Sequence, residues 1–238
     1  MKVSLIIPAY NEEKRLPAFL NTVLTYERQH ADQIHEVIIV DDGSTDTTSQ
    51  QVQKRINGSQ PVKLLTLSQN RGKGGAIQAG IEAATGDVVV FTDADGATPI
   101  TELPKMITAL QSADVAVGNR WMSGAHVHKS TTLRHFAGWV YKTYMSLFGL
   151  GEIDTMCGFK GYKLSIARDL FSNLLEKRWL FDTEVAYKAV RRKYVIKNFP
   201  IEWESKPGSK LDSFTLLKSG FQILPLISKI KKHEEKTF

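Results

Sequence analysis

Short apolar runs alternate with helix-like segments through the first half of this chain, and this alternation constrains the fold more than any other feature. The runs are rich in β-branched residues, which favour buried strands, and they cover residues 3–7, 36–40, 62–67, 88–92 and 115–117. The segments between them have helical spacing or helix-forming composition, at residues 16–24, 47–56, 74–84 and 100–110. Alternation of this kind predicts an α/β fold, with a mainly parallel sheet covered by helices on both faces.

The rhythm changes after residue 118. A polar loop is predicted at residues 122–132. Three helices are predicted at residues 133–150, 167–175 and 181–190, and two strands at residues 159–162 and 194–203. A last helix is predicted to start near Ser213 and to meet Pro225.

These patterns suggest one domain at residues 1–212, followed by a C-terminal amphipathic helix and basic tail at residues 213–238. Within the domain, the change of pattern separates a first half at residues 1–118 from a second half at residues 119–212.

Polar side chains follow each of the first four predicted strands. They are Tyr10, Asn11 and Glu12; Asp41 and Asp42; Asn70, Arg71 and Lys73; and Asp93 and Asp95. A single polar loop is unremarkable, because residues such as Asn11 or Ser44 often cap helices. Four in succession predict a lined crevice, since ligands of open α/β sheets bind beyond the carboxyl ends of the strands.

Asp93 and Asp95 end the fourth predicted strand with one residue between them. Side chains alternate along an extended strand, so both carboxylates project to the same side. Burying them without partners would be costly, and Mg²⁺ favours one or two carboxylates together with phosphate oxygens. The pair predicts either a divalent-ion site, with Asp95 as the metal ligand, or a capped strand end.

The loop after the third strand suits a diphosphate. Arg71 and Lys73 stand among glycines whose N–H groups can reach phosphate oxygens. Residues 72–75 match neither the P-loop nor the Gly-x-Gly-x-x-Gly dinucleotide pattern. Asp41 and Asp42 could accept hydrogen bonds from a base or a ribose, so the four loops together predict a site for a nucleoside diphosphate with a divalent ion.

Composition restricts the partners and the compartment. The net charge of +6 is compatible with simple solubility, an anionic ligand or an anionic membrane surface. Zinc-ligand spacing and nucleic-acid-binding signatures are missing from the sequence, which argues against nucleic acid. The single cysteine, Cys157, fits a reducing compartment, and the sequence shows neither a signal peptide nor an apolar run of membrane-spanning length. A cytoplasmic protein is expected, peripheral to a membrane at most.

Four ordered motifs resemble glycosyltransferase family 2, and the resemblance covers about residues 3–210. They are Pro8-Ala9-Tyr10-Asn11-Glu12-Glu13, Asp41-Asp42-Gly43-Ser44, Asn70-Arg71-Gly72-Lys73-Gly74 and Asp93-Ala94-Asp95-Gly96. Further segments are similar to the branch that glucosylates dolichyl phosphate or transfers hexoses to polyprenyl phosphates. They are Asp93-Ala94-Asp95-Gly96-Ala97-Thr98, Gly118-Asn119-Arg120, Asp154-Thr155-Met156-Cys157-Gly158-Phe159-Lys160 and Gly208-Ser209-Lys210.

The resemblance implies a GT-A fold with a Rossmann-like N-terminal half, a nucleotide-diphosphate sugar donor and inversion at the anomeric carbon. It implies that residues 1–118 form the nucleotide-sugar-binding half and residues 119–212 the acceptor half. By position, it implies that the nucleotide sugar contacts Pro8, Tyr10, Glu12, Asp41, Asp42, Arg71, Lys73, Asp93, Ala94, Asp95 and Arg120. It also implies that Asp95 holds Mg²⁺ or Mn²⁺, that Arg120 contacts the diphosphate and that Arg134 contacts the acceptor's phosphate. Asp182 falls near the position where many relatives have a catalytic base.

The favoured function is transfer of a hexose, with glucose from UDP-glucose preferred, to a polyprenyl or dolichyl phosphate. The alternatives are a GDP-mannose-dependent polyprenyl-phosphate mannosyltransferase and a soluble family 2 enzyme with a hydroxyl acceptor. A lipid phosphate is already anionic near pH 7, so Asp182 would be indispensable only for a hydroxyl acceptor, and it could instead cap the helix that begins at Phe181. A pyrophosphorylase would need a Gly-rich first loop, which Pro8-Ala9-Tyr10 is not.

Two apolar stretches, at residues 136–150 and 214–230, allow two interpretations. The second ends in basic residues and resembles an amphipathic helix beside a basic tail. Both stretches predict either contact with a membrane surface or packing onto the core or a second copy in a homo-oligomer.

Overall fold

A computed structural model describes residues 1–56, 61–128, 132–207 and 213–237; the side chains of residues 132–137, 213–221 and 235–237 are outside the described part. The strands are β1 (Val3–Ala9), β2 (Ile34–Asp41), β3 (Val62–Thr66), β4 (Val88–Phe91), β5 (Val115–Asn119), β6 (His126–His128), β7 (Lys160–Lys163), β8 (Ile196–Pro200) and β9 (Glu202–Glu204). The helices are α1 (Leu16–Gln29), α2 (Thr48–Ile56), α3 (Lys73–Ala83), α4 (Leu103–Leu110), α5 (Thr132–Ser146), α6 (Leu164–Phe171), α7 (Phe181–Arg191) and α8 (Ser213–Thr237).

The central sheet has the strand order β3-β2-β1-β4-β7-β5-β8 within the described residues. The first four strands along the chain are parallel to one another, and β5 is parallel to β8. Strand β7 runs antiparallel to both β4 and β5. The predicted mainly parallel sheet is therefore confirmed, with one reversed strand at its centre that the alternation of strands and helices did not reveal.

Helices cover both faces of this sheet because its strands alternate their buried side chains. On β1, Leu5 and Ile7 face α1 and share one apolar cluster with it, whereas Ile6 belongs to a second cluster on the α3 face. Helix α3 approaches closely at Gly80, where an added Cβ would lie only 2.6 Å from the Ile6 side chain. The first half of the chain therefore has a doubly wound arrangement around continuous buried strands.

A second, two-stranded sheet pairs β6 with β9 in parallel. The prediction of an unbroken loop at residues 122–132 is wrong here, because β6 lies inside it. The predicted strand at residues 194–203 is also divided, with β8 in the central sheet and β9 in the small one. Buried Ile201 separates these two strands. Backbone pairing rather than side-chain alternation defines β6, whose two histidines are exposed, so its sequence gives little signal.

Helix α8 continues through Pro225 to Thr237, so the helix that was predicted to start near Ser213 and to meet Pro225 extends beyond that proline. Its described apolar side chains are buried on both sides of the proline, at Ile223, Leu226, Ile227 and Ile230. This burial against the α3-face cluster offsets the hydrogen bond that a helical proline loses. Near its end, Glu234 accepts hydrogen bonds from the guanidinium of Arg192, with Nη2···Oε1 at 2.6 Å.

Among the described residues, none of the helices combines the length and the apolar character that crossing a membrane requires.

Candidate active site

The loops that follow β1 to β4 meet at one edge of the central sheet and are joined by side chains. Asn11 accepts a hydrogen bond from the backbone N–H of Thr45 at 2.8 Å, which connects the first loop to the second. The structure thus brings the predicted nucleotide-sugar residues together, namely Pro8, Tyr10, Glu12, Asp41, Asp42, Arg71, Lys73, Asp93, Ala94 and Asp95. Their roles as ligand contacts stay predictions.

Asp41 and Asp42 hold this edge together. Asp42 is buried and accepts hydrogen bonds from the backbone N–H groups of Arg71 at 2.7 Å and Gly72 at 2.8 Å. Asp41 accepts one from the N–H of Ser44 at 2.9 Å and another from a serine hydroxyl in α2. Burial raises the pKa of Asp42, and the two N–H donors oppose that shift. The Asp42 carboxylate therefore fixes the backbone of the loop that carries Arg71.

Arg15 connects Glu12 to Asp95. Its guanidinium donates to both Glu12 oxygens, with Nε···Oε2 at 2.7 Å and Nη2···Oε1 at 2.5 Å. Its Nη1 lies 3.4 Å from Asp95 Oδ2. Burial would lower the pKa of Arg15, but the carboxylates around it, Glu12 first, raise it. This two-pronged contact fixes the direction of the Glu12 carboxylate.

Asp93 lies between Lys73, in the first half of the chain, and the backbone of Gly158, in the second half. Lys73, the first residue of α3, has its Nζ 2.5 Å from Asp93 Oδ1. On the other side, the backbone at Gly158 approaches so closely that a Cβ there would lie 1.9 Å from Asp93 Oδ2. Burial alone would lower the pKa of Lys73, and the charges of Asp93 and Asp182 raise it. Lys73 is therefore firmly a cation at this edge.

Asp95 has the environment of a metal ligand that needs a second source of oxygens. Its Oδ1 accepts the backbone N–H of Ala97 at 3.0 Å. Burial, followed by the neighbouring charge of Asp93, raises the pKa of Asp95, so a divalent cation there would relieve both penalties. Within the described ranges, no cluster of three or more His, Cys, Asp or Glu side chains could hold a metal alone. The residues thus fit Mg²⁺ or Mn²⁺ that arrives with phosphate oxygens.

A cavity of about 590 Å³ opens beside Asp95, between α1 and the small β6–β9 sheet. Its walls combine apolar and charged side chains, including Arg15, Phe19, Ile100, His128, Glu202 and Lys206. This space lies next to the predicted metal ligand and is large enough for a small ligand's head group.

Arg120 follows β5 and is fixed by Asp154. The carboxylate accepts hydrogen bonds from Nε at 2.8 Å and from Nη2 at 2.9 Å. The guanidinium carbon lies 5.1 Å from the centroid of the Trp203 ring. The ion pair lowers the pKa of Asp154 against the opposing effect of burial. Such a planar, two-contact pair presents Arg120 in one orientation. The Arg134 side chain and residues 208–210 are outside the described part.

Asp182 lies in the first turn of α7 and pairs with a lysine. Its Oδ1 is 3.0 Å from Lys160 Nζ, and both side chains are buried. Burial raises the pKa of Asp182, while the positive charges of Lys160 and Lys73 oppose that rise. The helix has Leu180 at its N-cap and no side-chain cap, so the alternative that Asp182 caps α7 is wrong.

Comparison with known proteins now identifies the family. A sequence model of Glycosyl transferase family 2 matches residues 4–171, which is more than half of the chain. The chain belongs to this family.

Curated relatives of this family 2 glycosyltransferase include dolichyl-phosphate beta-glucosyltransferases from several eukaryotes. The Homo sapiens protein is 36% identical over 249 residues, covering 94% of this chain and 74% of the relative. The Saccharomyces cerevisiae protein is 32% identical over 230 residues, covering 88% and 69%. These matches confirm the branch that the sequence motifs indicated.

Solved structures confirm the fold. Glucosyl-3-phosphoglycerate synthase from Mycobacterium tuberculosis, in complex with Mn²⁺, UDP and glucosyl-3-phosphoglycerate, has a TM-score of 0.70 to this chain. It is 16% identical in sequence, and the match covers 96% of this chain and 79% of that structure. The complex with Mn²⁺ and UDP-glucose gives a TM-score of 0.71 at 16% identity, covering 96% and 78%. The predicted GT-A fold is thus confirmed.

In this family 2 protein, sequence reasoning missed three residues that organise the site: Arg15, Asp154 and Lys160. Each pairs with a residue that sequence reasoning did select, namely Glu12, Arg120 and Asp182 respectively. Asp154 and Lys160 are the first and last residues of the segment from Asp154 to Lys160 that resembles the family. Their positions could therefore be selected from sequence, but the residues they pair with could not. For Arg15, the only signal was its spacing of three residues from Glu12, which suits contact across a helical turn.

Proposed function

We propose that this glycosyltransferase moves glucose from UDP-glucose to a polyprenyl or dolichyl phosphate, with inversion at the anomeric carbon. The observation that carries the proposal is the extent of the match to proteins with this activity in their names. Human and yeast dolichyl-phosphate beta-glucosyltransferases match 94% and 88% of the chain, shares too large to leave out either the donor half or the acceptor half.

The residues at the sheet edge suit the departure of a nucleoside diphosphate. The leaving group gains negative charge, so cations already in position lower the barrier most. Arg120, oriented by Asp154, and Lys73, at the N-terminus of α3, are two such cations. Mg²⁺ or Mn²⁺, held by Asp95, would supply further Lewis-acid stabilisation of the leaving diphosphate.

The acceptor side does not need a strong base. A lipid phosphate is anionic near pH 7, so its oxygen needs a position rather than deprotonation. Asp182 is buried and faces Lys160 at 3.0 Å, an arrangement that restrains its carboxylate. A hydroxyl acceptor would instead need Asp182 to take up a proton, and this difference separates the leading proposal from the soluble alternative.

The lipid acceptor also implies contact with a membrane surface, and we assign that contact to α5 and α8. Trp139, Val140 and Leu147 are exposed apolar side chains on or just after α5. The described apolar face of α8 packs inward, and its lysines at 229, 231 and 232 are exposed. Exposed aromatic and aliphatic groups beside lysines suit the anionic cytoplasmic face of a membrane, where the protein would be peripheral.

A donor and acceptor panel tests the reaction. The purified chain is incubated with UDP-glucose or GDP-mannose, with polyprenyl phosphate or a simple alcohol, and with Mg²⁺ or Mn²⁺; the product's anomeric linkage is then determined. We expect β-glucosyl polyprenyl phosphate. Preference for GDP-mannose or for the alcohol would establish the corresponding alternative instead.

Two variants sharpen the test. Asp95→Ala should abolish metal-dependent transfer, while Asp87→Ala, at the opposite end of β4, should retain it, since the Asp87 carboxylate accepts a hydrogen bond from the backbone N–H of Lys2 at 2.7 Å, at the end of the strand away from Asp95. Full metal-dependent activity in Asp95→Ala would show that the metal assignment is wrong.

Flotation with anionic vesicles tests the membrane surface. The double variant Trp139→Ser/Leu147→Ser should float less than the wild type. Leu175→Ser, which changes an exposed leucine outside α5 and α8, is the matched control and should float normally. Equal flotation of all three proteins would remove α5 from the proposal.

A further inference from the structure

We propose that Lys160 is a positioning residue that holds residues 154–158, here called the Asp154 turn, against the donor's diphosphate site. The proposal rests on the proposed function, because it takes Arg120 and Asp93 as donor contacts. It assigns a role to a buried lysine that the reaction itself does not use.

Lys160 is the first residue of β7, and its ammonium is completely enclosed. The residue is 1% exposed, and its Nζ has three oxygen partners. It lies 3.0 Å from Asp182 Oδ1 and donates to the carbonyl oxygens of Thr155, at 3.3 Å, and Cys157. Two of these contacts are hydrogen bonds to carbonyl oxygens, and the third is an ion pair whose geometry falls short of a hydrogen bond to Asp182 Oδ1.

Two of the three partners are backbone carbonyls of the Asp154 turn. A buried carbonyl without a donor is costly, so Lys160 stabilises this turn in one conformation. The turn also closes on itself, because the N–H of Cys157 donates to the Asp154 carbonyl at 3.1 Å and the N–H of Met156 to the Asp154 carboxylate at 3.2 Å.

The Asp154 turn contacts both donor-side residues. Its first residue, Asp154, makes the two-contact pair with Arg120. Its last residue, Gly158, is the one whose backbone presses on Asp93. A shift of this turn by a fraction of an ångström therefore moves a guanidinium and a carboxylate at once, and Lys160 is the side chain that prevents the shift.

Lys160 also balances the charge of Asp182, and the two roles must be separated. Removing the lysine alone would leave a buried carboxylate without its ion-pair partner, which destabilises a protein whatever its function. The informative comparison is therefore Lys160→Met/Asp182→Asn against both the wild type and Asp182→Asn. Neither the double variant nor the wild type leaves a member of this pair uncompensated. Asp182→Asn, which leaves the Lys160 ammonium without its carboxylate, separates the loss of Asp182 from the loss of Lys160.

The fold supplies a matched control on the same helix. Lys188 is also 1% exposed, pairs with Glu184 of α7 at 2.6 Å and donates to the carbonyl of Asn173 at 2.9 Å. Within the described part of the chain, these partners of Lys188 lie outside the Asp154 turn. Lys188→Met/Glu184→Gln therefore removes an equally buried pair that does not contact the turn. It is a control for exchange of the turn's amides only, because Glu184 also accepts the N–H groups of Leu175 and Glu176, next to the Lys177 carbonyl that accepts those of Gly74 and Gly75.

Two measurements test the proposal: calorimetric titration with UDP and Mn²⁺, and hydrogen exchange of the amides in the Asp154 turn. On the Asp182→Asn background, Lys160→Met should weaken UDP binding at least about tenfold, roughly the effect of one charged hydrogen bond. It should also speed exchange of the Met156 and Cys157 amides about tenfold or more. The control pair should change the exchange of these two amides by no more than about twofold.

A UDP affinity in Lys160→Met/Asp182→Asn equal to that of Asp182→Asn would overturn the proposal, and so would equally faster exchange of the turn's amides in the control pair. Unchanged exchange of the turn's amides would overturn it as well, since a simple loss of positive charge does not open a turn. If the wild-type protein binds no UDP, the proposed donor is wrong, while the exchange comparison still tests whether Lys160 holds the turn.

Discussion

The contact between Gly158 and Asp93 allows a perturbation that should disable the site and leave the fold standing. A Cβ built on Gly158 would lie 1.9 Å from Asp93 Oδ2 and 2.3 Å from its Cγ, far inside an ordinary contact of 3.4 Å. In Gly158→Ala, the carboxylate must therefore withdraw by about 1.5 Å or the turn must move away from it.

The cheaper response is a rotation of Asp93, because its side chain is 37% exposed and can turn toward solvent. That rotation breaks the 2.5 Å contact between Lys73 Nζ and Asp93 Oδ1. We expect a loss of unfolding free energy of no more than about 1.5 kcal/mol, the cost of an off-rotamer side chain. The effect on catalysis should be much larger, since a misplacement of about 1 Å near a reacting centre costs on the order of 100-fold in kcat/KM.

Urea unfolding and steady-state transfer kinetics measure these two quantities, and a double-mutant cycle assigns their cause. In Asp93→Ala the clashing atoms are absent, so adding Gly158→Ala should change kcat/KM by less than about twofold. The reasoning fails if Gly158→Ala alone keeps kcat/KM within threefold of wild type, or if it costs just as much when Asp93 is already alanine.

Three other outcomes are expected. Burial alone would raise the pKa of Glu36, but hydrogen bonds from Lys63, Thr85 and Ser4 hold it at about 2. This stabilisation is complete above the ordinary pKa of 4.5 and is lost as the pH falls through about 2. Glu36→Gln should therefore cost about 2–3 kcal/mol at pH 7 in urea unfolding, and most of that cost should be gone at pH 2. Burial raises the pKa of the Cys157 thiol to about 12, so iodoacetamide at pH 8 should label it only as fast as the protein unfolds. Asp182→Asn should keep at least about a tenth of the transfer rate to a lipid phosphate, and complete loss would contradict the claim that no base is needed.

Much of the donor half could be predicted from sequence because its information is local. Strands β1 to β4 are short runs of mostly apolar residues, so each run can be recognised from its own composition, and polar residues follow each of them along the chain. Once the strands are parallel, their loops must meet at one edge, so Asp41, Lys73 and Asp93 had to be neighbours. The finding that Lys73 pairs with Asp93 required the structure, since Lys73 had been selected only as a phosphate contact.

The acceptor half was less predictable because its determinants are not local. Strand β7 has only four residues and lies between β4 and β5 in the reverse direction, a position defined by its antiparallel pairing with these two distant strands. Strand β6 has exposed histidines at both ends and is defined by backbone pairing with β9. The continuity of α8 through Pro225 also depends on distant residues, because the local cost of a helical proline is visible in sequence whereas the burial that offsets it involves residues far away in the chain.

Opposite charges are paired throughout the described part of the site, and this pairing predicts how the donor should bind. The pairs are Arg15 with Glu12, Lys73 with Asp93, Arg120 with Asp154 and Lys160 with Asp182. A bare diphosphate would approach cations that already have carboxylate partners, and it would also meet the charge of Asp95. A diphosphate that carries a divalent ion brings positive charge to Asp95 and so removes that repulsion. Calorimetric titrations should therefore show UDP binding at least about tenfold more tightly with Mn²⁺ than with EDTA, a coupling free energy of about 1.4 kcal/mol. The coupling should largely disappear in Asp95→Ala, whereas an equal gain from Mn²⁺ in that variant would show that the ion acts elsewhere.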